Sequence, residues 1–252
     1  MDYRLLMDTA ILAGEIIMES GGEAYRTEET VSRMLNTSHS KHVEVVVQGT
    51  SIVATVSNPY RDAITVTRRV RRKGTNLNRI ARVNDISREL CAEKITLEEA
   101  FHQLKELRTK TQYSEIIRFF ATMVAAMGFT YTFGGRGLDL VYALICGAAV
   151  YLVRFFNYSI KTASFITEML ASFTISAVAI ILFHLHPAQN MDVVIIGALM
   201  LLVPGLAITN SARDILVGDY VSGSARVVEA VVISLSIALG TGLVLIVEHL
   251  IG

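Results

Sequence analysis

From Leu202 to Glu229 the chain reads LVPGLAITNSARDILVGDYVSGSARVVE, an apolar run that breaks at Pro204-Gly205, takes up polar and charged residues, and turns apolar again. Pro204 cannot donate a backbone N–H and Gly205 permits unusual dihedrals, so a helix entering this stretch is expected to kink or unwind. Arg213 and Arg226 can each grip a carboxylate through two parallel bonds, while Asp214 and Asp219 can meet an ammonium group or carry a proton. With Asn210 and Ser222 as further polar groups, the set suits an amino acid or a small carboxylate. It equally suits an ordinary cytoplasmic loop, with the arginines as positive-inside anchors and the aspartates as helix caps.

Four more residues are candidates for proton handling or gating. Glu168 and Glu229 lie within apolar runs, where a carboxylate needs a partner, a cavity or an interfacial position. Glu23 and Arg26 belong to SGGEAYRTEETVSRML, in which Gly21-Gly22 could set these charges and Glu28 over a pocket or simply break a helix ahead of an acidic first turn. No Ser, Cys or His stands in a nucleophile arrangement, so no catalytic residue is assigned. Cys91 and Cys146 read as packing residues, His184 and His186 as headgroup-level groups before Pro187, and neither metal nor cofactor is expected.

The elements that must position these groups divide by solvent. Residues 1–111 hold 17 of the 23 Lys+Arg and 15 of the 23 Asp+Glu, a distribution that implies water for the first part and lipid for the second. Zero net charge gives no reason to expect nucleic acid, and the short run Arg68-Arg69-Val70-Arg71-Arg72-Lys73 could lie near anionic headgroups. Two amphipathic helices, a meander of HVEVVVQ, SIVATVS and DAITVTR with turns at Gly49-Thr50 and Asn58 to Asp62, and two further helices make an α+β cytoplasmic domain over 1–111. Thr96 ahead of Glu98-Glu99 marks a helix start. Over 112–252, apolar runs near the roughly 20 residues of a membrane crossing predict a bundle of five transmembrane helices at about 114–133, 138–156, 163–184, 191–209 and 227–248. Arg154, Lys161, Arg213 and Arg226 against Arg136 place the N-terminus in the cytoplasm and the C-terminus outside. An odd number of spans is what one half of an inverted repeat contains. Small residues at Gly147, Ser234, Ala238, Gly240 and Gly242 suggest close helix contacts and a multimer.

SGGEAYRTEETVSRML, TRRV with NLNRIARVNDISREL, and above all VPGLAITNSARDILVGDYVSGSAR resemble the threonine/serine exporter family, and within it its YjjP-like subunits. The resemblance implies a multi-pass protein of the cell (inner) membrane that exports threonine, serine or succinate-like dicarboxylates, driven by the proton-motive force. It also implies a second membrane half: fused in longer members, supplied by a small YjjB-like membrane subunit in split systems. The alternative reading is a membrane-anchored sensor or hydrolase-like enzyme acting through residues 1–111; a channel is a third.

Overall fold

The computed structural model describes residues 2–40, 42–58, 61–70, 74–110, 112–160, 163–185 and 190–251. Arg71, Arg72, Lys73, Lys161, His186, Pro187 and part of the Asn58–Asp62 turn lie outside them. The fold is mostly helical with one small sheet, and it forms two units: residues 1–111 with 206–227, and residues 112–205 with 228–252.

In the first unit α1 (Tyr3–Glu19) is nearly surrounded, with Leu6, Met7, Ile16 and Ile17 all but fully buried. Each such side chain contributes about 1.5–3 kcal/mol through removal from water. Against α1 pack α2 (Ala24–Asn36), α3 (Leu77–Cys91), α4 (Leu97–Thr109) and an antiparallel sheet of β1 (His42–Gln48), β2 (Ser51–Asn58) and β3 (Arg61–Arg69) in the order β1-β2-β3. Gln48 pairs with Ser51 across the two-residue turn at Gly49-Thr50, where Gly49 has φ +59°. The sheet's alternation buries Ile52, Ala54 and Val56 on the helix side. Thr96 and Glu99 close a capping box at the start of α4: Glu99 Oε2 accepts from the Thr96 amide at 2.7 Å, and Thr96 Oγ1 accepts from the Glu99 amide at 3.2 Å. The same unit contains nearly all of α9 (Gly205–Leu216) and the first turns of α10 (Tyr220–Ile251).

The second unit packs α5 (Glu115–Thr132), α6 (Leu138–Ile160), α7 (Ser164–Leu185) and α8 (Met191–Leu199) around Ala126, Ala143, Cys146, Ala171, Ile175, Val194 and Ala198. The small side chains let helices come close. Gly240 of α10 lies so near Ser172 and the Met169 carbonyl that a Cβ would collide with both, whereas Gly242 faces open space. Among the described residues three helices are long and apolar enough to cross a membrane: Leu138–Asn157, Ser164–Leu185 and Tyr220–Leu250. α5 carries Glu115 and Arg118 in its first turn, and nine residues of α8 rise only about 14 Å of the roughly 30 Å of a hydrocarbon core. The broken helix expected at Pro204 is present. After Leu199 two i→i−3 bonds, Leu201 N to Ala198 O and Leu202 N to Leu199 O, tighten the chain before it opens at Val203-Pro204 and resumes helix at Gly205.

Candidate functional site

The turn between α1 and α2 is built on two glycines. Gly21 adopts φ +83°, and a Cβ there would stand 2.9 Å from the Gly74 carbonyl; at Gly22 a Cβ would strike Ile17. The chain around Gly74 is fixed to the same turn, its amide donating to Glu19 O at 2.8 Å and the Asn76 amide to Ser20 O at 3.0 Å.

Onto this turn come three side chains from the distant polar segment, one for each consecutive residue. Asn210 Nδ2 donates to Gly21 O at 3.0 Å, Arg226 Nη2 donates to Gly22 O at 2.7 Å, and Arg213 Nη1 donates to Glu23 Oε1 at 2.7 Å. Arg26 reaches the other oxygen of Glu23 at 3.6 Å. Glu23 is buried while Arg213 is largely exposed, so the guanidinium is the solvent-facing half of the pair. The hydrogen bond to Glu23, with the Tyr25 phenol beside it, holds Arg213 above its usual range.

Asp214, one residue on, points the other way into full burial. Arg226 Nε lies 3.0 Å from its Oδ2, close enough to pair by charge but off the line of a hydrogen bond, and neither carboxylate oxygen is otherwise hydrogen-bonded. Burial pushes the Asp214 carboxyl above its ordinary range. The Arg226 charge and the Ala24 amide at the start of α2 oppose this; Asp219 and Glu23 reinforce it. Asp219 Oδ1 accepts from the Ser222 amide at 3.1 Å and so caps α10, and Ser222 Oγ accepts from Gly49 N at 3.2 Å. Glu28 accepts from the Val47 amide at 2.7 Å; its carboxyl is raised by burial, against that bond, with Asp219 adding to the rise.

A cavity of about 290 Å³ opens at the turn. Glu23, Arg26 and Arg213 supply charge, Asn210 and Thr209 polar groups, and Leu77, Ile80 and Leu206 an apolar wall. The arrangement can hold a small molecule bearing charge at one end and hydrocarbon at the other. No Ser, Cys or His lines it, and among the described residues no three His, Cys, Asp or Glu gather to hold a metal ion.

The structure thus brings together Glu23, Arg26, Asn210, Arg213, Asp214, Asp219, Ser222 and Arg226. Pro204 and Gly205 form the helix break and fall in the second unit. Glu168 is in that unit too, held by both oxygens to Arg154 Nη2 at 2.9 and 3.0 Å, and Glu229 is exposed on α10.

A family profile described as "Putative threonine/serine exporter" (ThrE) matches residues 8–247. The chain belongs to the ThrE family. Among curated relatives, "Pheromone-regulated membrane protein 10" of Pichia sorbitophila is 27% identical over 233 residues, covering 89% of this chain and 23% of that protein. The protein of the same name from Debaryomyces hansenii is 25% identical over 173 residues, 67% of this chain and 17% of its own length. The "Probable threonine/serine exporter" of Mycobacterium tuberculosis is 22% identical over 244 residues, 94% of this chain and 45% of its own. The chain therefore spans less than half the length of the curated relatives it matches. No solved structure matches it. ThrE membership together with the three apolar helices makes it a membrane protein of a transporter family.

Proposed function

We propose that the chain is one part of a secondary transporter that exports threonine or serine across the cytoplasmic membrane, and that the cavity at Glu23, Arg26 and Arg213 is where it captures the substrate from the cytoplasm. The supporting observation is the pairing of a buried carboxylate with two guanidiniums beside an apolar wall. An amino acid can exchange into this pairing without changing its charge: the substrate carboxylate takes Arg213, and the substrate ammonium takes Glu23. The volume lies near the lower bound of about 300 Å³ for small-molecule sites, as a small metabolite requires. A succinate-like dicarboxylate is the second reading, favoured by the convergence of Arg26 and Arg213 and opposed by the buried negative charge of Glu23.

In this reading residues 1–111 with 206–227 face the cytoplasm, the chain crosses the membrane five times, and the C-terminus lies outside. The fourth crossing would be discontinuous: α8, three tight-turn residues at about 2 Å each and two extended residues at about 3.3 Å reach about 26 Å in all. Such a backbone needs protein or water beside it at membrane depth. A small YjjB-like subunit, or a second copy of this chain, would complete the pathway.

Isothermal titration of the full chain in lipid nanodiscs with L-threonine, L-serine and succinate tests the assignment. Heat from the amino acids that disappears in Arg213→Ala and in Glu23→Gln, with no heat from succinate, is the expected result. Equal binding of succinate would favour the second reading, and threonine binding that survives both substitutions would remove the cavity from transport.

A further inference from the structure

Asp214 does something a structural ion pair does not need. Its side chain is completely buried, yet the Ala24 amide close by is not aligned on either of its oxygens, and Arg226, the cation beside it among the described residues, spends another of its nitrogens on the Gly22 carbonyl. A carboxylate meant only to anchor Arg226 would ordinarily be met by aligned donors, because an ionised group without them is costly to bury. Facing it are Glu23, which precedes α2, Asp219 from the turn before α10, and Arg226 from α10; behind these, Arg26 and Arg213 pair with Glu23, and Glu28 of α2 lies near Asp219. With Asp214 ionised the group holds four carboxylates and three guanidiniums. One proton makes it neutral.

We propose that Asp214 is a proton-binding site of this chain, loaded and unloaded at the α1–α2 turn, and that its protonation weakens the hold of Arg226 on that turn. The proton comes from water and converts the carboxylate to a neutral carboxyl; Arg226 keeps its charge and loses the anion that fixes it over Gly22. Burial, with Asp219 and Glu23 nearby, already biases Asp214 toward the protonated form. The inference concerns the ligand-free chain and stands whichever substrate the cavity takes.

Infrared titration of the ligand-free full chain in nanodiscs, with the aspartate carboxyl carbons isotopically labelled, tests it. Wild type should keep one protonated aspartate band at pH values above about 3.9, where an ordinary aspartate is already ionised. The band should vanish in Asp214→Asn and persist in Glu28→Gln. A band that survives Asp214→Asn, or no band in wild type, overturns the proposal. If Asp214→Asn fails to fold, Arg226→Gln decides the matter: removing only the cation should extend the band to higher pH, and an unmoved midpoint overturns the proposal equally. Amide exchange at Gly21, Gly22 and Glu23, corrected for its intrinsic pH dependence, should rise as the band grows; turn amides that stay equally protected refute the loosening.

Discussion

Replacing Gly21 by alanine strikes the turn that carries all three clasping contacts, and its cost can be worked from two separate terms. A side chain at φ +83° costs about 1–2 kcal/mol. The new Cβ would also stand 2.9 Å from the Gly74 carbonyl, and Gly74 cannot retreat without breaking its own bond to Glu19. Overpacking of this kind costs about 1–3 kcal/mol. Gly49→Ala supplies the control, since Gly49 also has positive φ but a Cβ there meets nothing within 4 Å. The difference between the two variants is therefore the steric term alone, about 1–3 kcal/mol, or roughly 2–12 °C in the unfolding midpoint of a chain of this size. Thermal unfolding of the purified protein in mild detergent, followed by circular dichroism, reads it directly. Gly21→Ala should also weaken threonine binding, because the shift carries Glu23 with it, whereas Gly49→Ala should not. If the two variants unfold at the same temperature, the turn is not held as described.

Two further outcomes are expected. Gly240→Leu should destabilise the second unit by about 1–3 kcal/mol or more through collision with Ser172 and the Met169 carbonyl, while Gly242→Leu should leave the monomer's unfolding unchanged; a loss of assembly from Gly242→Leu alone, by light scattering in nanodiscs, would locate a subunit contact there. Thr96→Ala should cost about 1 kcal/mol in thermal unfolding at neutral pH. The Thr96 amide and hydroxyl hold the Glu99 carboxyl below its usual range, so the part of the cap that rests on the Glu99 carboxylate is present above the unfolded-state value and is lost as acid carries the pH down through the folded one; the gap between wild type and Thr96→Ala should narrow in that direction while the Glu99 amide keeps its bond to Thr96 Oγ1 in wild type.

Local pattern made the elements legible. Alternation in SIVATVS, the glycine at the β1–β2 turn, Thr96 three residues before Glu99 and the Pro204-Gly205 break each act within a few residues, so the sequence displays them. The pairing of Glu23 with Arg213 has no local signature, because its energy comes from a contact between residues 190 apart. Both partners stood out separately, one as a glycine-flanked charge and one as a charge in an apolar region, but nothing in either neighbourhood specifies the other. α10 begins at Tyr220 rather than near 227 because Ser222, Ser224 and Arg226 lower the hydropathy of its first turns without breaking its helix. Glu28 stood out as a charge after the two glycines, but its partner did not, since that is the Val47 amide of a neighbouring strand. Gly240 read as an assembly residue, and the structure spends it on α7 of the same chain.

The interleaving of the two units bears on synthesis. Glu23 leaves the ribosome 190 residues ahead of Arg213, an interval of about 10–40 s at 5–20 residues per second. Throughout that time the turn has its glycines and its carboxylate but neither Asn210, Arg213 nor Arg226. The cavity lacks Leu206 and Thr209 as well, so a nascent chain does not have its full lining until residues 112–205 have been made. If the cavity captures substrate as proposed, a product arrested before residue 206 should bind none. The clasp closes only in chains whose residues 112–205 already exist, an ordering imposed by where in the sequence its two halves are written.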